Sequence, residues 1–133
     1  MQSDLGRLIE EFISQRIWAV VGASPNPAKY GNRIFHNLVE AGYMVYAVKP
    51  NANEIGGHKV YPTLSDLPEA AQVVDIVVPP KVTEQIVQEC AQLGLSRVWM
   101  QPGAESKSAI DFCRQNGIAV VYGVCAMIHR REW

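Results

Sequence analysis

Apolar positions along this chain fall into two rhythms, and each change of rhythm marks a new element. Leu5, Leu8, Ile9, Phe12 and Ile13 recur at helical spacing behind Ser3. They predict a leading amphipathic helix with Ser3 as its N-cap. Residues 17–22, "IWAVVG", form a continuous apolar run closed by glycine, the pattern of a strand buried on both faces. Ile34, Phe35, Leu38 and Val39 then define a helical stripe that starts near Gly31 and ends at Gly42. A second strand, "YMVYAVKP" at residues 43–50, stops at Pro50.

Residues 51–71 are the least regular. Gly56-Gly57 reads as a turn, Val60-Tyr61 as a very short strand, and residues 65–67 as one helical turn. After them "VVDIVVPP" (73–80) is another buried strand, and Val82, Ile86, Cys90 and Leu93 mark a helix that ends at Gly94. "RVWMQPG" (97–103) is a strand with its turn, "ESKSAIDFCRQNG" a helix closed by Gly117, and "IAVVYG" (118–123) a final strand.

Buried strands alternating with helices call for a parallel sheet covered on both faces. The expectation is an α/β, Rossmann-like, doubly wound sheet of five strands in order 3-2-1-4-5. Ligands of such sheets bind beyond the carboxyl ends of the strands, where the strand order reverses. That rule selects four loops: residues 22–31, 49–53, 78–81 and 101–104.

The length of 133 residues fits one domain, residues 1–133. A formal net charge of −1 argues against broad attraction to nucleic acid or an anionic membrane, so any anion site must be local. Cys90, Cys113 and Cys125 are scattered, which suits free thiols in a reducing cytoplasm. The N-terminus has no signal-peptide pattern, and no apolar run approaches a membrane span.

In the first loop, Gly22, Ala23 and Ser24 allow a tight turn that offers amides to a phosphate at a helix N-terminus, with Lys29 and Arg33 flanking the helix start. A plain strand–helix turn with two solvated cations reads equally well. The second loop, "AVKPN", carries Lys49 where NAD-binding folds place an acid for the ribose diol. Lysine there suits a ribose bearing a phosphate, as in NADP or coenzyme A, unless it is a solvated residue at a strand end. In the third loop, Val78, Pro79 and Pro80 offer an apolar edge to an adenine or simply terminate a strand. The fourth places Gln101, Gly103 and Ala104 before another helix start. Hydride transfer usually needs a second domain facing the nicotinamide, and 133 residues leave none to build it. Coenzyme A needs only a groove for its nucleotide and an exit for pantetheine, so length and Lys49 together favour it.

The motifs "VVGAS", "KYGNRI", "VKPN", "GHKVYPTLSDLP", "DIVVPP", "VWMQPGAES" and "CAMIHRR" follow one another in order. With them the chain, from about Ile9 to Arg131, resembles the stand-alone CoA-binding proteins. Their single Rossmann-like domain is similar to the N-terminal domain of the succinyl-CoA synthetase alpha subunit. The resemblance implies that Gly22, Ala23 and Ser24 hold the diphosphate, with Lys29 and Arg33 nearby. It implies Lys49, Pro50 and Asn51 at the adenosine and its 3′-phosphate, Val78 and Pro79 at the adenine, and Gln101 and Gly103 near the pantetheine. One position departs from the family, Val124 before Cys125, where a polar or basic residue is frequent.

The resemblance confers no enzyme activity. The synthetase's phosphorylated histidine lies in a further domain, and His36, His58 and His129 read as structural or surface residues. Trp99 and Trp133 read as packing residues. The expected function is binding of coenzyme A or an acyl-CoA without autonomous catalysis, with no metal, nucleic acid or membrane involved. Two alternatives stay open. One is an NADP-dependent or acyl-CoA enzyme completed by a partner. The other is a redox protein in which Cys125, four residues before His129, pairs with the coenzyme's thiol.

Overall fold

The computed structural model describes residues 4–133, so the expected cap Ser3 lies outside the described residues. Helix α1 (Asp4–Ile13) leads into β1 (Ile17–Val21), α2 (Tyr30–Glu40) and β2 (Met44–Val48). A hairpin of β3 (Glu54–Ile55) and β4 (His58–Tyr61) follows, then a 3₁₀ turn at Leu64–Asp66. The second half runs β5 (Val73–Ile76), α3 (Pro80–Leu93), β6 (Arg97–Met100), α4 (Lys107–Gln115), β7 (Ala119–Tyr122) and a short α5 (Ala126–His129).

The strands form one sheet in the order β3-β4-β2-β1-β5-β6-β7. This corrects the expected five strands in order 3-2-1-4-5: the described residues form seven. Six are parallel, and β3 pairs antiparallel with β4 through Glu54↔Lys59 and Ile55↔His58. The doubly wound principle holds, with the chain reversing between β1 and β5. Val60-Tyr61 and residues 118–123, both read as strands, are β4 and β7; the strand left unread is β3 at the sheet's edge. A two-residue strand cannot display a period-2 pattern.

Each central strand is apolar on both faces because helices cover both. Trp18 and Val20 of β1 point to one side, with Phe12 of α1, Phe35 and Leu38 of α2, and Ala126 of α5. Ala19 and Val21 point to the other, with Val87 and Cys90 of α3 and Ile110 and Cys113 of α4. On the first side Trp18 and Trp99 lie 5.9 Å apart, and Phe12 meets Trp99 at 6.1 Å. Leu5, the first residue of the expected α1 stripe, is exposed.

The α3 stripe is shifted from the expectation. Thr83, Val87 and Cys90 are its buried residues, whereas Val82 and Leu93 are exposed. Thr83 takes the inward place because its hydroxyl donates to the Ala104 carbonyl at 2.8 Å. A buried hydroxyl with a partner is tolerated where a bare one would be costly.

The last residues strap the first side shut. The Trp133 amide donates to the Ala41 carbonyl at 2.8 Å, and the Tyr43 hydroxyl donates to Ile13 O while accepting from the Arg131 amide. Arg16 and Arg131 both lie over the Trp133 ring. That ring is partly exposed, so Trp133 packs at the rim and not in the core.

Phe12 has no exposed surface although α1 precedes the sheet. Phe12→Ala is expected to cost about 3–5 kcal/mol, the usual result of truncating a buried aromatic. Urea unfolding would show it as a lower midpoint at unchanged slope. A loss below about 1 kcal/mol would mean that α1 is an appendage and not part of the core.

Candidate functional site

The carboxyl ends of β1 and β5 meet at a backbone contact that admits no side chain. Gly22 has φ +98°, and a Cβ there would lie 2.2 Å from the Val77 carbonyl oxygen. A Cβ on Gly31, in the first turn of α2, would lie 2.0 Å from the Gly22 carbonyl oxygen. These two glycines bring the strand end and the helix start together. The Gly22 amide itself is bound to Val48 O at 2.8 Å and so belongs to the sheet.

Between them the loop is held by its own polar groups. Buried Asn32 donates from Nδ2 to Ser24 O at 2.8 Å. Ser24 Oγ accepts from the Asn26 amide, and Asn26 Oδ1 accepts from the Ala28 amide. Among the described residues no intramolecular acceptor meets the Ala23, Ser24, Tyr30 and Gly31 amides, whereas the Asn32 and Arg33 amides donate to Lys29 O at 3.2 and 3.4 Å.

A groove of about 470 Å³ opens over this turn, lined by Gly22, Ser24, Lys29, Tyr30, Gly31, Lys49, Val77, Val78, Pro79, Pro102, Gly103 and Ala104. Seven of the twelve residues that the resemblance assigns to the site thus come together: Gly22, Ser24, Lys29, Lys49, Val78, Pro79 and Gly103. Neither Lys29 nor Lys49 forms an ion pair among the described residues. Lys49 is fixed through its backbone, whose amide donates to Tyr61 O at 2.9 Å.

The other five lie off the groove lining. Ala23 is fully buried in the core. Arg33 is exposed on α2, and its guanidinium reaches back to Ala28 O at 3.4 Å. Pro50 and Asn51 are exposed in the turn after β2, where Asn51 adopts φ 63°, a left-handed conformation that asparagine tolerates. Gln101 is buried under the groove and works inside the protein. Its Nε2 donates to Asp75 Oδ1 at 2.7 Å, and its Oε1 accepts from the Ala126 amide at 3.3 Å.

The third and fourth loops are clamped to each other. Thr83 reaches Ala104 O, while Glu84 accepts from the hydroxyls of Ser106 and Ser108 at 2.6 and 2.7 Å. Those two hydroxyls hold the Glu84 carboxyl below its ordinary range. The Gly103 amide is already occupied, since it donates to the Glu105 carboxylate at 3.1 Å. An anion arriving there would have to displace Glu105.

Two groups escaped the reading of the sequence. Tyr30 lines the groove, and its hydroxyl lies 2.7 Å from Cys125 Sγ, a contact between residues 95 positions apart. Asp75 is a lone acid within an apolar strand, a visible signal, and it is fully buried with Oδ2 lacking any partner among the described residues. Burial pushes its pKa up to about 7, against the lowering effect of the Gln101 hydrogen bond. No group of three or more histidine, cysteine or acidic side chains suited to a metal occurs among the described residues.

A tight glycine turn at the switch point, two lysines without ion pairs and an apolar wall thus line one groove. Residues 16–131 match the family model described as CoA binding domain. The chain belongs to that family. The alpha subunit of ADP-forming acetate–CoA ligase II from Pyrococcus furiosus is 29% identical over 91% of the chain. Its counterpart in ligase I is 38% identical over 68%. The chain spans between 11% and 29% of the length of the acetate–CoA ligases it matches. Among solved structures, a hypothetical protein from Pyrococcus horikoshii superposes with TM-score 0.89 at 32% identity, over 97% of this chain and 94% of that one. Another from Pyrococcus furiosus gives TM-score 0.82 at 43% identity, over 85% and 97%. No helix among the described residues is long and apolar enough to cross a membrane.

Two predictions follow from the geometry. A bulky side chain at position 22 strikes backbone and requires a positive φ, so Gly22→Val is expected to abolish nucleotide binding. Calorimetry of the variant, with its circular dichroism spectrum intact, checks this; wild-type affinity would remove the turn from the site. The second concerns Asp75, whose folded pKa is raised from 3.8 to about 7. The folded chain keeps a proton that the unfolded chain has released, so stability is full below the unfolded value and falls as pH rises through this window. The slope approaches about 1.4 kcal/mol per pH unit. Asp75→Asn removes the titration, so its stability relative to wild type should improve steadily from about pH 4 to 7. A difference independent of pH in urea unfolding would refute the burial of a protonated acid.

Proposed function

We propose that this chain is a coenzyme A or acyl-CoA binding module without autonomous catalysis. The observation that carries this reading is the pairing of two lysines, both free of ion pairs, in one groove over a phosphate-ready turn. Coenzyme A carries two clusters of negative charge, the diphosphate and the 3′-phosphate, and NAD carries only the first. Membership of the CoA binding domain family supports the same choice.

In this reading the Ala23 and Ser24 amides, the first turn of α2 and Lys29 hold the diphosphate. Lys49 meets the 3′-phosphate, with Pro50 and Asn51 shaping its turn. Val77, Val78 and Pro79 give the adenine an apolar wall. Gly103 and its neighbours Pro102 and Ala104 border the pantetheine, and Gln101 serves them from beneath by fixing the loop. Arg33 adds positive potential at a distance, not a contact.

A second reading also has an observation behind it. The acetate–CoA ligases matched here include alpha subunits, and this chain corresponds to only a part of each. A partner that supplies the missing chemistry would make this the coenzyme-holding piece of a larger enzyme. The solved relatives of nearly equal length favour the module acting alone.

If Lys49 receives the 3′-phosphate, coenzyme A should bind more tightly than dephospho-coenzyme A by roughly 10- to 150-fold, the worth of one charge-assisted hydrogen bond. Lys49→Ala should abolish that preference. Equal calorimetric affinities of the wild type for the two ligands would take Lys49 out of this role. The chain alone should neither oxidise NADPH with small carbonyl compounds nor hydrolyse acetyl-CoA above background. Turnover of either, lost in a groove variant, would make it an enzyme.

A further inference from the structure

Coenzyme binding leaves one polar cluster at the groove without a task. Tyr30 lines the groove and touches Cys125 Sγ at 2.7 Å. Cys125 is half-buried and immediately precedes α5, whose first amide is held by Gln101. Gln101 in turn holds Asp75, whose second carboxylate oxygen is buried without a partner. All these residues lie beyond or at the carboxyl ends of parallel strands, on the ligand side of the sheet.

The other candidates for a reactive group are answered by their surroundings. Cys90 and Cys113 are buried in the opposite face, and burial pushes their thiols up to about 12 and 11. His129 lies beside the Trp99 ring at 6.4 Å, and the polar side-chain contact of Cys125 is with Tyr30. Arg130 turns to Asn37 and Glu132, and Arg131 to the Trp133 ring. What faces the Cys125 sulfur is a phenol. Burial raises the Tyr30 pKa first, then the Cys125 hydrogen bond and charge, and finally the charge of Asp75. A phenol kept neutral can donate to a thiolate and stabilise it.

We propose that Cys125 is a thiol–disulfide exchange site for a disulfide of coenzyme A whose nucleotide lies in the groove, with Tyr30 donating to the Cys125 thiolate. The proposal rests on the coenzyme A reading above. The Cys125 thiolate attacks one sulfur of the disulfide, and a Cys125–coenzyme A disulfide bond forms as the original S–S bond breaks. The leaving sulfur departs with the bonding pair as a coenzyme A thiolate and takes up, through solvent, the proton that Cys125 released. Cys125 is oxidised and the departing sulfur is reduced, so the disulfide is the only oxidant required. Seating the nucleotide raises the local concentration of the disulfide at Cys125. Coenzyme A disulfide should therefore react roughly 10²-fold faster than glutathione disulfide, which has no nucleotide to seat.

The experiment incubates the full chain with each disulfide, then applies intact mass, peptide mapping and measurement of released thiol. The expected result is one coenzyme A on Cys125 and one equivalent of coenzyme A released, with no adduct in Cys125→Ser. Tyr30→Phe should slow capture about tenfold or more and move the rate–pH profile to higher pH, because the thiolate has lost its donor. A change in rate with an unmoved profile would overturn the role of Tyr30. Calorimetry of reduced coenzyme A with Cys125→Ser separates the two levels of inference. Binding there, with no wild-type adduct, overturns the exchange site and leaves the coenzyme A reading intact. An adduct on Cys90 or Cys113, or equal rates with the two disulfides, also overturns the exchange site. Failure of Cys125→Ser and wild type alike to bind coenzyme A overturns the reading beneath it.

Discussion

Two backbones approach each other so closely at the end of β1 that only hydrogen atoms fit between them. Gly22 abuts the carbonyl of Val77, and Gly31 abuts the carbonyl of Gly22. This double contact joins β1, β5 and α2 at the place where the strand order reverses. It sets how deep the groove floor lies, because a side chain at Gly31 would lift α2 off the end of β1 and one at Gly22 would push β1 away from the end of β5. It also aims the start of α2 at whatever the groove holds. The lysines, the apolar wall and the clamped fourth loop are arranged around that junction.

A second constraint lies one layer below. Asp75 of β5 and Gln101, just after β6, form a buried polar pair at the apolar centre of the sheet, and burial without a full set of partners is costly. Gln101 converts that cost into position, since its other end holds the amide of Ala126. The residue before it, Cys125, is thereby set against Tyr30 at the groove. The stability of the central strands and the placement of the cysteine are therefore coupled through one side chain. A substitution at Gln101 would act on both.

The sheet's centre was legible because covering helices on both faces demand uninterrupted apolar runs, and "IWAVV" and "VVDIVV" are such runs. Its margin was not, because β3 has two residues and the pairing of Glu54 with Lys59 carries no apolar signature. The α3 stripe misled because Thr83 reads as polar until its hydroxyl is seen bonded to Ala104 O. In the site, loop position alone brought Lys29, Lys49, Val78 and Pro79 to the groove. Side-chain direction decided the rest. Arg33 follows Lys29 by one helical turn yet bends back to Ala28, and Gln101 points into the protein instead of the groove. Tyr30 stayed hidden because its partner is remote in sequence, and no local pattern encodes such a contact.

The carboxylate of Glu105 sits on the Gly103 amide, at the border of the groove. It acts as a resident stand-in for an acidic ligand. A negatively charged acyl tail extending from the pantetheine would meet this carboxylate and be repelled, whereas a neutral or thiol-terminated one would not. On the proposed coenzyme A reading, one carboxylate at the groove border would thus sort by charge the groups that the coenzyme carries.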